Sequence, residues 1–256
     1  MLSGERKAAI AAMIERDGSV TVSQLMDTFN ISIETVRRDL SALESEKLLR
    51  RVHGGAVSMR GFRKLGHIDQ RINENVGAKK ELAAAAVKFI SENDIISIES
   101  GSTSMELAKL IRDSFKKLTV VTNSLDVFSI LSENPDIKLI LLGGDFYRKE
   151  RCFCGSLAVK NLLELHVSKA FLCPYTVSET AGICTGFENF VEMEKAFISS
   201  ADKLFFLADS SKFGQTSLYT VCELDKSMTF VTDNGIPKLM CDSFTEKGIK
   251  VVRANA

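Results

Sequence analysis

The sequence predicts an α/β protein in two parts: a small amino-terminal helical unit closed by a hairpin, then a larger domain of alternating strands and helices. Two changes of hydrophobic rhythm and one interruption predict it. Up to Glu46 the apolar residues recur at helical spacing, and from Leu48 to Val57 the pattern turns extended around Gly54-Gly55. From Lys79 onward short strand-like apolar runs alternate with helical ones. Between Val57 and Gly77 periodicity fails. The glycine-punctuated, basic run from Met59 to His67 reads there as a connection. The predicted boundaries are therefore 1–58, 59–78 and 79–256.

Taken in order, Glu5 to Arg16 forms a first helix with Ile10, Met13 and Ile14 as its stripe, closed by Asp17-Gly18. Thr21 with Gln24 three residues on is a capping box, and it opens a short second helix through Leu25, Met26 and Phe29. Asn30-Ile31-Ser32 makes a tight turn in which Ser32 can cap a third helix, with Glu34 in its positive first turn. On that helix Ile33, Val36, Leu40 and Leu43 face inward, while Thr35, Arg38 and Ser41 point away. This is a helix-turn-helix, whose second member enters a DNA groove. Gly54-Gly55 between two extended runs signals a hairpin whose central positions need positive φ, a wing that carries Arg50, Arg51 and His53 toward phosphates. Arg37-Arg38 alone is an ordinary solvated helix face; the ordered set of helix, turn, arginine helix and wing is what points to double-stranded DNA. The candidate contacts are Ser32, Thr35, Arg37, Arg38, Ser41, Arg50, Arg51, His53 and Gly54. Asp39 is expected to orient an arginine, since an acidic side chain beside phosphates makes a poor base reader.

Composition narrows the classes. With 33 basic and 33 acidic residues the formal net charge is zero, so a positive field for DNA must be local. At 256 residues there is room for a second core beyond the first sixty or so. No run approaches the ~20 apolar residues of a membrane span, and the amino terminus lacks a basic-then-apolar signal segment. Six cysteines without metal-ligand spacing fit a reducing cytoplasm, with neither metal nor cofactor expected. A zinc site on Cys152 and Cys154 is disfavoured on the expectation that the two face opposite sides of an extended segment.

In the second part the predicted strands are 94–99, 118–122, 138–142, 169–172, 203–208, 228–232 and 250–252. The predicted helices are 79–90, 104–112, 125–132, 156–165, 190–199 and 238–246. Such alternation implies a largely parallel sheet, and ligands bind beyond the carboxyl ends of its strands. Reading those ends gives one polar set: Glu99, Ser100, Gly101, Ser102, Thr103, Thr122, Asn123, Ser124, Gly143, Gly144, Tyr175, Asp209 and Lys212, with Lys195 on a nearby helix. Ser100 to Thr103 lies between a strand and a helix, where backbone N–H groups, hydroxyls and the helix dipole can hold a phosphate. Lys212 is a cation for the same anion.

Both parts carry a family resemblance. Arg6, Ile10, Ile14, Ser32, Thr35 to Leu40 and Arg51-Val52-His53-Gly54-Gly55-Ala56 resemble the amino-terminal domain of DeoR-type bacterial transcriptional regulators. Ile98 to Thr103, Val121 to Ser124, Leu142-Gly143-Gly144, Phe153-x-Gly155, Lys169 to Leu172, Glu194-x-Ala196, Ala208 to Gly214 and Val231-Thr232-Asp233 resemble their sensor domain. The resemblance implies a sensor fold of the ribose-5-phosphate isomerase and CoA-transferase-like type. It further implies a homo-oligomeric repressor of carbohydrate genes, controlled by a small phosphorylated metabolite and without catalytic residues. Two positions depart from the family pattern: Glu99 stands for an aspartate, and Cys173-Pro174-Tyr175-Thr176 replaces a glycine-rich segment. The second change fills space and implies a smaller or chemically different effector. The alternative from another class is a sugar-phosphate isomerase-like enzyme using Glu99, Asp209 or Glu194 as acid or base, a reading that leaves the winged helix-turn-helix unexplained.

Overall fold

The computed structural model describes residues 3–17, 19–46, 48–52, 55–58, 67–236 and 238–254. The first part has helices α1 (Ser3–Asp17), α2 (Val22–Phe29) and α3 (Ile33–Ser45), with strands β1 (Ser19–Thr21), β2 (Leu49–Val52) and β3 (Gly55–Ser58). The strands form an antiparallel sheet ordered β1-β3-β2. Caps set where the helices begin. Thr21 Oγ1 accepts from the Gln24 N–H at 3.1 Å while Gln24 Oε1 accepts from the Thr21 N–H at 2.9 Å. Ser32 Oγ accepts from the Thr35 N–H at 3.4 Å. Ile10, Ile14, Leu25, Val36, Leu40 and Leu43 interlock as one core, closed by Leu49 and Ala56 of the sheet.

Gly55 has a different role from the predicted one. It is a strand residue paired with Thr21, and a Cβ there would overlap the Val20 carbonyl oxygen. Its lack of a side chain lets β3 pass between β1 and β2. Gly54 and His53 lie outside the described residues, as does the run 59–66.

The second part contains α4 (Ile68–Arg71), α5 (Val76–Ala86), β4 (Ile95–Ile98), α6 (Ser102–Ser114), β5 (Thr119–Thr122), α7 (Leu125–Leu131) and β6 (Lys138–Leu141). A hairpin of β7 (Asp145–Tyr147) and β8 (Cys152–Cys154) follows, then α8 (Ser156–Leu163), β9 (Val167–Leu172), β10 (Thr176–Ser178), β11 (Gly182–Thr185) and α9 (Glu188–Ser199). The chain continues through β12 (Ala201–Leu207), β13 (Tyr219–Cys222), β14 (Met228–Thr232), α10 (Lys238–Glu246) and β15 (Lys250–Arg253). Seven strands form one parallel sheet ordered β15-β14-β12-β9-β4-β5-β6. One face packs on α5, α6 and α7, with Phe171 and Phe205 stacked 5.0 Å apart; the other packs on α8, α9 and α10 around Phe197, Phe206, Phe230 and Phe244. From β4 the chain runs outward to β5 and β6, then returns to build β9, β12, β14 and β15 on the other side of β4. The reversal leaves a crevice between the carboxyl ends of β4 and β9.

The structure departs from the sequence reading in three places. The β7–β8 hairpin and the antiparallel sheet β10-β11-β13 were not predicted, because strands of three or four residues are too short to show a period, and β10 and β11, buried throughout, carry no alternation. Cys152 and Cys154 are both buried on one face of β8, contrary to the opposite orientation expected of them: residues two apart on a strand share a side. They pack with Phe190 there, and no metal-binding group of His, Cys, Asp and Glu occurs among the described residues. Finally, residues 67–78 lie in the predicted connection, where a short helical run is expected from Ile68 to Arg71; α4 occupies those residues, but rather than merely linking the two parts it docks on the larger domain. Ile68 is buried and its N–H donates to the Lys149 carbonyl at 3.1 Å.

Candidate functional site

Two surfaces carry chemistry. On α3 Ser32, Arg37, Arg38 and Ser41 are exposed and Thr35 is half-buried, while Val36, Leu40 and Leu43 hold the helix to the core. Asp39 is buried on the same helix and accepts a two-pronged bond from Arg6 of α1, at 2.6 Å from Nε and 3.3 Å from Nη2. That bond raises the Arg6 pKa and pins α1 across α3. The wing is tied on by Arg51, whose N–H donates to Glu44 Oε1 at 2.8 Å and whose Nη1 donates to Ser41 Oγ at 3.3 Å. Arg51 thus stands beside the outward face of α3. The zero net charge of the chain is resolved locally into an arginine-bearing helix and wing. Arg50 lies on β2, its side chain outside what is described.

The second surface is a small cleft at the crevice between β4 and β9. Ser102 and Thr103 enter it from the first turn of α6, which Gly101 leaves without a side-chain cap. Cys173 and Pro174 come from the end of β9, and Asp209, Ser211 and Lys212 from the end of β12. The remaining wall is Leu207 with Arg71, Glu74, Asn75 and Lys79. Lys79 is buried and donates to the carbonyls of Arg71 and Glu74; Arg71 pairs with the buried Glu150. Asp209 Oδ1 accepts from the Ser211 N–H at 3.0 Å and from Asn75 Nδ2 at 3.4 Å.

Three cations and an uncapped helix terminus therefore meet in one cavity, opposed by Asp209 and Glu74. Burial lowers the Lys212 pKa to about 8, with Arg71 and Lys79 adding to the depression and Asp209 opposing it. Burial also lowers Lys79, again helped by Arg71 and opposed by Asp209. An anion seated here would face Lys212 and Lys79 while meeting N–H and hydroxyl donors.

Two family models match the chain: the DeoR-like helix-turn-helix domain over residues 6–61 and the DeoR C-terminal sensor domain over residues 74–234. The chain is 34% identical to the uncharacterized HTH-type transcriptional regulator YulB of Bacillus subtilis, over 98% of this chain and 96% of that protein. It is likewise 34% identical to the lactose phosphotransferase system repressor of Lactococcus lactis, over 94% and 95%. The chain belongs to the DeoR family of transcriptional regulators. A further relative is the L-fucose operon activator of Haemophilus influenzae, 32% identical over 91% of this chain and 92% of its own. Among solved structures, ribose 5-phosphate isomerase A of Neisseria gonorrhoeae overlays with a TM-score of 0.39 at 24% identity, over 53% of this chain and 52% of its own.

In this DeoR-family regulator the predicted effector residues divide into three groups. Ser102, Thr103, Asp209 and Lys212 line the cleft. Glu99, Ser100, Thr122, Asn123 and Ser124 brace its floor. Glu99 Oε2 accepts from the Cys173 N–H at 3.0 Å, Asn123 Oδ1 accepts from the Ser100 N–H at 3.0 Å, and Thr122 Oγ1 donates to the Ile98 carbonyl at 2.7 Å. Ser124 Oγ caps α7 by accepting from the Val127 N–H at 3.2 Å. Gly101 is needed for clearance, because a Cβ there would lie 2.7 Å from Cys173 Cβ.

The remaining four sit elsewhere. Gly144 serves the approach of α8, where a Cβ would lie 3.1 Å from Ala158 Cβ, whereas a Cβ on Gly143 would meet nothing within 4 Å. Tyr175 packs edge-on to Phe187 at 5.5 Å. Lys195 is exposed and pairs with Glu192 at 2.9 Å; it is its neighbour Glu194 that turns inward and is buried. Arg71, Glu74, Asn75 and Lys79 were not foreseen as site residues. One signal for Lys79 was available, since it shares an otherwise apolar stripe with Leu82, Ala83 and Ala86 at helical spacing.

Proposed function

We propose that this regulator represses genes of carbohydrate metabolism in the cytoplasm as a homo-oligomer, and that a small phosphate ester in the cleft governs its hold on the operator. The convergence of Arg71, Lys79 and Lys212 on the uncapped first turn of α6 carries the reading, since cationic groups, backbone N–H donors and hydroxyls together suit an anion. Asp209 and Glu74 supply acceptors for hydroxyls on the ester. Cys173 and Pro174 narrow the space at the end of β9, which favours a compact ligand. The names of relatives support the metabolic class: a lactose phosphotransferase system repressor and a putative aga operon repressor are among them. Assembly through the larger domain leaves α3 free for DNA, and Leu125, Phe146, Leu157 and Leu163, exposed around the β7–β8 hairpin, offer apolar contact. No catalytic role is assigned: Glu99 and Glu194 are outside the cleft lining, their carboxyl pKa values pushed up by burial, and Asp209, which does line it, is engaged by Ser211 and Asn75.

Calorimetry tests the site. Wild type is expected to bind a compact sugar phosphate, and Thr103→Val and Lys212→Met to bind it about tenfold or more weakly, the loss of a charge-assisted contact. Binding should also take up protons between about pH 8 and 10.5, where Lys212 is deprotonated in the empty cleft and charged opposite an anion. Equal affinity in all three proteins removes the phosphate site, and turnover of the ligand to a product restores the isomerase alternative.

A further inference from the structure

We propose that the segment Ile68–Lys79 is the transmitting arm of the regulator. It forms one wall of the cleft through Arg71, Asn75 and Lys79, and it follows in sequence, after residues 59–66, the wing of the DNA-binding domain. An occupied cleft holds the arm on the strand ends; an empty one loosens it and changes where the DNA-binding domains can stand. This rests on the cleft binding a phosphate ester.

The arm has little else to hold it. Among residues 68–79 only Ile68 and Lys79 are buried, so apolar burial secures only the arm's start and α5 holds its end. Its other attachments are polar and converge on two places. Toward the β7–β8 turn, Arg71 pairs with Glu150 and Asp69 with Arg151 at 3.1 Å. Toward the cleft, Asn75 donates to Asp209 at 3.4 Å and Lys79 ties the arm's own carbonyls at Arg71 and Glu74. The arm thus sits in the electrostatic field of the cleft, where Arg71 and Lys79 face Lys212 and each lowers its pKa. A dianion converts that repulsion into two bridges, from the arm to α6 and from the arm to the end of β12. Elements with few buried contacts open at low free energy, so a ligand that differs in affinity for the held and loosened arm by a modest factor shifts their populations. Sequence continuity carries the shift toward the wing without any separate relay of side chains.

Amide hydrogen exchange on the full chain, with inorganic phosphate and with glycerol 3-phosphate, reads this directly. Exchange in 68–79 should slow by about fivefold or more, the lower edge of ordinary coupling between sites, together with exchange in 102–105 and 209–212. Protection of 102–105 and 209–212 with 68–79 unchanged overturns the arm and leaves the cleft reading standing. No protection in any of the three overturns both. A second measurement uses Glu150→Gln, which cuts the anchor of Arg71 on the hairpin turn, and a duplex selected from random sequences by the wild type. The ratio of duplex affinities with and without glycerol 3-phosphate should change by about fivefold or more. An unchanged ratio in a variant folded by circular dichroism overturns the arm; a variant that does not fold leaves the exchange experiment on the wild type to decide.

Discussion

Single residues divide here by whether their neighbours along the chain specify their role. Asp39 is expected from the sequence to orient an arginine, and it does so for Arg6, 33 positions away. Arg38, exposed on α3, is expected to read a base edge. Arg38→Ala should cost roughly 1–3 kcal/mol on the operator with less effect on random duplex. Arg51→Ala should weaken both alike and flatten the salt dependence by about one unit of slope for each phosphate it ceases to neutralise. A gel-shift titration in which neither changes would discard this docking face. Glu194 makes a prediction about pH. Burial raises its pKa from 4.5 to about 8, so the folded state holds its proton more tightly than the unfolded chain does. Stability from this group is therefore full below pH 4.5 and drains away as pH rises to about 8. Glu194→Gln should abolish that slope, worth on the order of a few kcal/mol, in melting temperatures taken across the range. A slope equal to the wild type's would assign it to other groups.

At the scale of elements, those with a full helical turn or several strand residues are legible close to their observed bounds. Capping residues mark helix starts chemically, and a stripe marks the buried face. The third helix opens at Ser32 for that reason, and α10 occupies Lys238–Glu246 as expected. Short buried strands escape, because β10 and β11 have no exposed face to interrupt their pattern. Gly55 shows a right location with a wrong cause: the glycine pair marks the wing, yet Gly55 is small to clear the Val20 carbonyl rather than to turn the chain. Gly55→Ala should cost the wing sheet about 1–3 kcal/mol of overpacking and lower operator affinity, with calorimetric binding of a phosphate ester untouched. A variant that binds operator normally would show that β1 can move aside.

For the whole molecule, the zero net charge hides an uneven distribution, with arginines gathered on α3 and the wing and Arg71, Lys79 and Lys212 gathered with Asp209 and Glu74 in the cleft. The proposed assembly is a homodimer or a higher even-numbered form, since helix-turn-helix proteins present paired helices to half-sites about one turn apart. Sedimentation at micromolar protein should show it with and without ligand; a monomer in both conditions would remove the oligomer from the account. Replacing exposed Phe146 by Lys should shift the equilibrium toward monomer if the hairpin region forms the contact.

Local chemistry in the chain specified the helix-turn-helix, the wing, the alternation of the larger domain and the polar turn that opens α6. Each depends on residues within a few positions of one another, so spacing alone reveals it. The sheet order, by contrast, follows from which buried strand packs beside which, and only that order puts the ends of β4, β9 and β12 around one crevice. Arg71 and Lys79 become site residues because α4 and α5 fold back over those strand ends, and Lys195 is excluded because α9 buries the adjacent face. Contacts of this kind join positions as far apart as Asn75 and Asp209, and no period or motif in one chain encodes a distance across the fold.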